Sequence, residues 1–296
     1  LYPSLFLAMS WSRLIRFIDV AGMACFGEPE ISDITKLAQE CLAGNLYAQE
    51  FIGESPMAVV PGTRRLQVKE ILGILRPTDV PIIRCVGLNY MKHIKEGGRN
   101  PPPHPSIFIK PATSIASYSE DIPIPKIAQD SVDYEGEMSI VIGKTGKNIS
   151  KENALDHIAG YVVSNDVSCR HWQKDPAFAG GVPQWCFSKG FDKYAPVGPV
   201  LVSPKVVGAA DNLRLQTLVN GEVRQDTLTS DLLFNVPHIV SFISQGTTLE
   251  AGTVIMTGTP AGVAMGMSPP KYLKNGDVVE VSIEKLGSTK NLIVFE

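Results

Sequence analysis

Asp133-Tyr134-Glu135-Gly136-Glu137-Met138-Ser139-Ile140-Val141-Ile142 is the stretch from which the fold and the chemistry of this chain follow. The apolar run 138–142 reads as a β-strand, and Glu135 and Glu137 lead into it two residues apart. Side chains at that spacing on a strand share a face, so the two carboxylates converge. Like charges held that close repel unless a cation sits between them or one stays protonated. A second apolar run, Tyr161-Val162-Val163, ends in Ser164-Asn165-Asp166, and Asp166 can supply a third oxygen. A hard, oxygen-liganded divalent ion such as Mg²⁺ is the natural occupant. The same Glu-x-Glu pattern also marks the solvated face of many antiparallel sheets, so the rest of the chain must decide.

Outward from this stretch, short β-segments alternate with Gly, Pro and Asn turns. Strands are expected at 81–87, 106–109, 160–164, 215–219, 254–256 and 278–284, with Asn220-Gly221 as a hairpin turn. Residues 14–20 and 23–26 form an N-terminal hairpin about Ala21-Gly22. Helices are few. Residues 68–75 carry apolar side chains at helical spacing and stop before Pro77, residues 151–157 follow a Ser150 cap, and 168–175 and 231–244 complete the set. The expected fold is mainly β with peripheral helices (α+β). A boundary near residue 80 would divide a small N-terminal domain, 1–80, from a catalytic domain, 81–296, with residues 1–8 an extension ahead of Met9.

At 296 residues the chain can bury a substantial core. Its net charge of −3, without a basic run to track phosphates, argues against nucleic acid as a partner. No stretch approaches the ~20 apolar residues of a membrane-spanning helix, so no membrane partner is expected. The five cysteines (Cys25, Cys41, Cys85, Cys169, Cys186) form no Cys-x-x-Cys pair. Reduced thiols in a cytoplasmic setting suit that pattern, with a mitochondrial one left open.

A second constellation follows the strand at 81–87, in Leu88-Asn89-Tyr90-Met91-Lys92-His93-Ile94-Lys95-Glu96. On a helical turn His93 and Glu96 are i, i+3 neighbours. A carboxylate against an imidazole fixes its tautomer and raises its basicity, as a general base requires. Such a pair is also a common surface contact.

Taken in order, several segments resemble the fumarylacetoacetate hydrolase family over residues 82–296. They are Val86-Gly87-Leu88-Asn89-Tyr90 with His93 and Glu96; Phe108-Ile109-Lys110-Pro111; Asp133 to Glu137; Asn165-Asp166-Val167-Ser168 with Arg170 and Gln173; Lys189-Gly190-Phe191-Asp192; Val219-Asn220-Gly221-Glu222; Thr257-Gly258-Thr259-Pro260; and Lys274-Asn275-Gly276-Asp277. The resemblance implies the family's β-roll of mixed sheets, assembled as a homodimer. It implies Glu135, Glu137 and Asp166 as ligands of Mg²⁺ or Mn²⁺, and His93 and Glu96 on a lid that activates water. Lys189 would contact substrate oxygens, with Arg170, Gln173 and Thr259 gripping a carboxylate or oxyanion. One departure is Ala264, where many members carry glycine, and it adds bulk near the mouth.

The implied chemistry is cleavage of a C–C bond in a small 2,4-dioxo or 2-oxo acid, as acylpyruvate hydrolysis or oxaloacetate-type decarboxylation. Both pass through an enolate that a Lewis acid stabilises. The alternatives are an isomerase, hydratase or lyase acting on a related 2-oxo acid, and a catalytically silent binding homologue. His157, His171, His238, Cys85 and Cys169 are expected to be structural, and Trp185, Phe187 and Tyr194 to line or support the pocket.

Overall fold

The computed structural model describes residues 10–296, so the extension expected at 1–8 lies outside the described residues. Ten strands form the main sheet, in the spatial order Ala24–Pro29, Tyr47–Ile52, Val60–Leu72, Arg13–Asp19, Val200–Val202, Ile158–Asn165, Gly136–Ile142, Val254–Met256, Ile83–Gly87 and Ser106–Lys110. Most neighbours are antiparallel; Val254–Met256 and Ile83–Gly87 run parallel, so the sheet is mixed. A second sheet of five strands has the order Glu222–Leu228, Arg214–Val219, Val278–Ile283, Gly287–Phe295 and Ile122–Ile124. Helices are short and peripheral, as expected.

The decisive strand, Gly136–Ile142, is buried along its whole length. Its alternation explains why. Met138, Ile140 and Ile142 pack into one apolar cluster with Leu215, Val279, Val281 and Ile283 of the second sheet. Val141 points the other way, into a cluster with Val162, Leu201, Trp11 and Phe51. Glu135, Glu137, Ser139 and Val141 share that second face by the two-residue period, which places the carboxylates at the end of a buried surface.

The Asn220-Gly221 turn has positive φ at both residues (51° and 82°), the geometry a two-residue hairpin demands. The helix expected at 68–75 is instead part of the strand Val60–Leu72. A bulge in this strand at Lys69, opposite the single step from Ile18 to Asp19 in the facing strand, shifts the register, so Val68 and Ile71 both turn inward. Three-residue spacing on a bulged strand mimics a helical period. Of the 151–157 helix only the 3₁₀ turn Ala154–His157 forms, and 231–244 contracts to Val236–Ile243, capped by Asn235.

The boundary expected near residue 80 falls just after a 3₁₀ turn, Pro77–Asp79. The first four strands close on one another, since Ala24–Pro29 pairs with both Tyr47–Ile52 and Arg13–Asp19. They also continue the main sheet, through Arg13–Ile15 against Val200–Val202.

Candidate metal and active site

Glu135 and Glu137 flank Gly136 at the start of the central strand. Glycine is required there, because a Cβ would lie 2.1 Å from Thr217 Oγ1 on the second sheet. Register brings the third carboxylate alongside: Gly136 pairs with Asn165, Glu135 N donates to Asn165 Oδ1 at 2.8 Å, and Asp166 N donates to Glu135 O at 2.8 Å. Ligand oxygens of Glu135, Glu137 and Asp166 lie within 4.8 Å of one another. The three residues are only 7%, 2% and 0% exposed, which excludes a solvated sheet face.

Buried cations surround the trio. Lys189 Nζ donates to Glu135 Oε2 at 2.9 Å and to Asp166 Oδ2 at 2.7 Å. Lys110 Nζ donates to Asp166 Oδ1 at 2.6 Å. Arg170 places Nη2 2.5 Å from Glu135 Oε1 and donates through Nε to Asp133 Oδ2 at 2.8 Å. Burial disfavours the Glu135 anion, but Lys189 and Arg170 outweigh it and hold its pKa down at about 2. Glu137 has no ion-pair partner among the described residues and accepts from Gly258 N at 2.7 Å. Burial, then the charges of Asp166 and Glu135, push its pKa well up. Four carboxylates, counting Asp133, thus face three cations. A dication beside Glu137 would reverse the sign of that excess and relieve the repulsion. The all-oxygen donor set fits Mg²⁺ or Mn²⁺.

The His93–Glu96 pair lines the same cavity as the trio. Met91–Glu96 is a helix, on which His93 Nδ1 and Glu96 Oε2 are 3.0 Å apart. Glu96 Oε1 accepts from Gly262 N at 3.2 Å. The hydrogen bond to His93 chiefly lowers the Glu96 pKa, against the opposing effect of burial. One cavity of about 390 Å³ is lined by all nine residues singled out in the sequence, together with Val86, Phe108, Trp185 and Met265 as an apolar wall.

Several of those nine are already engaged with the protein. Arg170 Nη1 donates to Gln173 Oε1 at 2.9 Å, so this pair braces Glu135 and Asp133. Thr259 Oγ1 donates to Gly136 O at 3.0 Å and accepts from Gln225 Nε2 at 2.9 Å. Lys110, Asp133 and Gln225 had no role assigned from sequence. Lys110 and Asp133 stood inside segments carrying the resemblance, but nothing local announces that a charge will be buried. Gln225 gave no signal at all. Ala264 is buried in the core, with its N–H donating to Asp133 Oδ1 at 2.8 Å, so its methyl adds no bulk at the mouth.

The remaining candidates are structural. His171 bonds Ser131, His157 bonds Lys144 O, and His238 packs on Phe234. Burial raises the thiols of Cys85 and Cys169, the latter to about 11. No helix among the described residues is long and apolar enough to cross a membrane.

The family signature described as "Fumarylacetoacetate (FAA) hydrolase C-terminal" matches residues 82–294. The chain belongs to the fumarylacetoacetate hydrolase family. Among its relatives, oxaloacetate tautomerase YisK of Bacillus subtilis is 39% identical over 213 residues, covering 71% of this chain and 69% of that one. Caffeoylpyruvate hydrolase of Neonothopanus nambi is 36% identical over 301 residues, covering 98% and 96%. Fumarylpyruvate hydrolase from Pseudomonas aeruginosa, solved in complex with Mn²⁺ and pyruvate, superposes with a TM-score of 0.66 at 31% identity, over 73% of this chain and 91% of that one. This fumarylacetoacetate hydrolase family member is therefore an enzyme with the family's fold.

Proposed function

We propose that this enzyme hydrolyses an acylpyruvate, a 2,4-dioxo acid, to a carboxylic acid and pyruvate or its analogue. The observation that carries the reading is the His93–Glu96 pair lining the same cavity as the acidic trio. When bound, Mg²⁺ or Mn²⁺ held by Glu135, Glu137 and Asp166 would supply Lewis acidity at the 2-oxo and carboxylate oxygens.

The chain's own residues do the rest. With its Nδ1–H donated to Glu96, His93 keeps the Nε2 lone pair free as a base. It takes a proton from the water that attacks the C4 carbonyl. The C3–C4 bond breaks, its electron pair passes to the 2-oxo half as an enolate, and the hydroxyl stays on the acyl carbon. His93 then returns its proton to C3. Lys189 places a fixed positive charge beside the trio, where a dry surrounding strengthens it. Phe108, Trp185, Val86 and Met265 offer an apolar wall for the acyl group.

A second reading, keto–enol tautomerisation of oxaloacetate, is favoured by the 39% identity to a tautomerase. It uses the same pair to move a C3 proton and consumes no water. Purified enzyme, dialysed against EDTA and reloaded with Mg²⁺ or Mn²⁺, decides between them. Hydrolysis predicts equimolar pyruvate and carboxylate from acetylpyruvate or an aroylpyruvate, only with metal. Accelerated oxaloacetate tautomerisation with no pyruvate from any acylpyruvate would overturn it in favour of the second reading. The assembly we propose is a homodimer of cytoplasmic location, the former checked by light scattering.

A further inference from the structure

One set of hydrogen bonds runs from the acidic centre to the lid. Asp133, fully buried, accepts at Oδ2 from Arg170 Nε at 2.8 Å, while Arg170 pairs with Glu135. The same carboxylate accepts from the backbone N–H groups of Ala264 at 2.8 Å and Met265 at 3.1 Å. Next to it, Tyr134 donates its hydroxyl to Gly262 O at 2.8 Å. Gly262 in turn donates its N–H to Glu96, which holds His93. The loop has little freedom to substitute, since a Cβ on Gly262 would lie 2.1 Å from Arg224 O.

We propose that Asp133 and Tyr134 are positioning residues for the His93–Glu96 pair, acting by fixing the 262–266 loop against the acidic centre. Neither reaches the reacting atoms. Two anchors on one short loop, at its carbonyl and its amides, set where the Gly262 N–H points, and so set the imidazole that Glu96 orients. The inference rests on the hydrolytic reading for its consequence, but its geometry can be tested without turnover.

Three variants separate the possibilities. Asp133→Asn replaces an acceptor oxygen with an N–H that faces other N–H groups. Tyr134→Phe removes a single hydroxyl and is mild enough to fold. Gly266→Ala builds a Cβ 3.0 Å from the Glu96 carboxyl carbon, at a glycine without positive φ, and displaces that side chain from the loop side. Amide hydrogen exchange of the lid helix, 91–96, should quicken at least about fivefold in each, with and without Mn²⁺. Acylpyruvate hydrolysis should lose about 10- to 100-fold in kcat in each, with KM and the Mn²⁺ Kd near wild type in Tyr134→Phe and Gly266→Ala, which leave every charge of the acidic centre in place, as misplacing a catalytic group predicts.

Wild-type exchange at 91–96 in a folded Asp133→Asn or Tyr134→Phe protein would overturn the proposal, as would unchanged kcat alongside quickened exchange. If Asp133→Asn does not fold, the same two measurements on Tyr134→Phe and Gly266→Ala decide in its place. Should the wild type hydrolyse no acylpyruvate, the hydrolytic reading fails while the exchange arm still decides the positioning claim.

Discussion

Glu137 carries the electrostatic cost of the metal-free site, and Glu135 shows the opposite sign. The folded-state pKa of Glu137 lies well above its ordinary value of 4.5, because of burial and then Asp166 and Glu135. The folded state therefore binds more protons than the unfolded one above pH 4.5, and stability falls as pH rises through that window. For Glu135, held down at about 2, stability is complete above 4.5 and is lost as pH falls toward about 2. Glu137→Gln should remove the first effect. In EDTA its urea midpoint should match wild type near pH 4 and exceed it by pH 8, while Mn²⁺ binding weakens by more than about 100-fold, beyond what removing a mere supporting group costs. A variant no more stable than wild type at pH 8 would refute this account. The trio was legible because alternation aims Glu135 and Glu137 one way, and Asp166 ends the next apolar run. Lys110 was not, because its partner Asp166 lies 56 residues away and burial of an ammonium depends on what packs over it.

Among the elements, the helix Met91–Glu96 is one turn and a half and its N-cap residue Tyr90 makes no side-chain cap, so its placement depends on outside holds: Asp231 on the Lys92 N–H at 3.1 Å, the Gly262 N–H on Glu96, and the junction before it. Asn89, fully buried, holds that junction. Its Nδ2 donates to Phe234 O at 3.1 Å and Thr257 O at 2.7 Å, and its Oδ1 accepts from Phe234 N at 2.8 Å. One side chain thus ties the lid's approach to the loop before Val236–Ile243 and to the loop carrying Gly258. Asn89→Ala should cost about 2–4 kcal/mol of unfolding free energy, since bonds at roughly 1 kcal/mol each are lost and buried backbone groups stay unpaired. Denaturant titration checks this, and a loss under about 0.5 kcal/mol would show the junction to be held otherwise. The i, i+3 spacing made the His93–Glu96 contact readable, because a helical turn needs only local geometry. The strand Val60–Leu72 was not readable as such, because the extra residue Lys69 resets its alternation, and whether a strand bulges depends on the partner it pairs with.

For the whole molecule, residues 10–80 combine the features of a domain and of an edge of the main sheet. Two observations pull apart. The four N-terminal strands close on themselves, as an independent unit would. Yet Leu14, Phe26, Phe51, Ile74 and Leu75 share one apolar cluster with Val141, Ala159, Val162 and Leu201 of the main sheet. Val200–Val202 would become a bare edge without Arg13–Ile15 beside it. An uncovered apolar face flanked by an unpaired strand is a template for association. The face in question lies on the same side of the central strand as Glu137 and Val141, so its loss would reach the acidic centre through Gly136–Ile142. A fragment of residues 81–296 should therefore aggregate, or remain soluble only with strong dye binding, no cooperative unfolding transition and no Mn²⁺-induced stabilisation. The full chain measured alongside should unfold cooperatively and gain stability from Mn²⁺. A fragment that unfolds cooperatively at the full chain's midpoint and binds Mn²⁺ as tightly would make residues 10–80 a separable appendage.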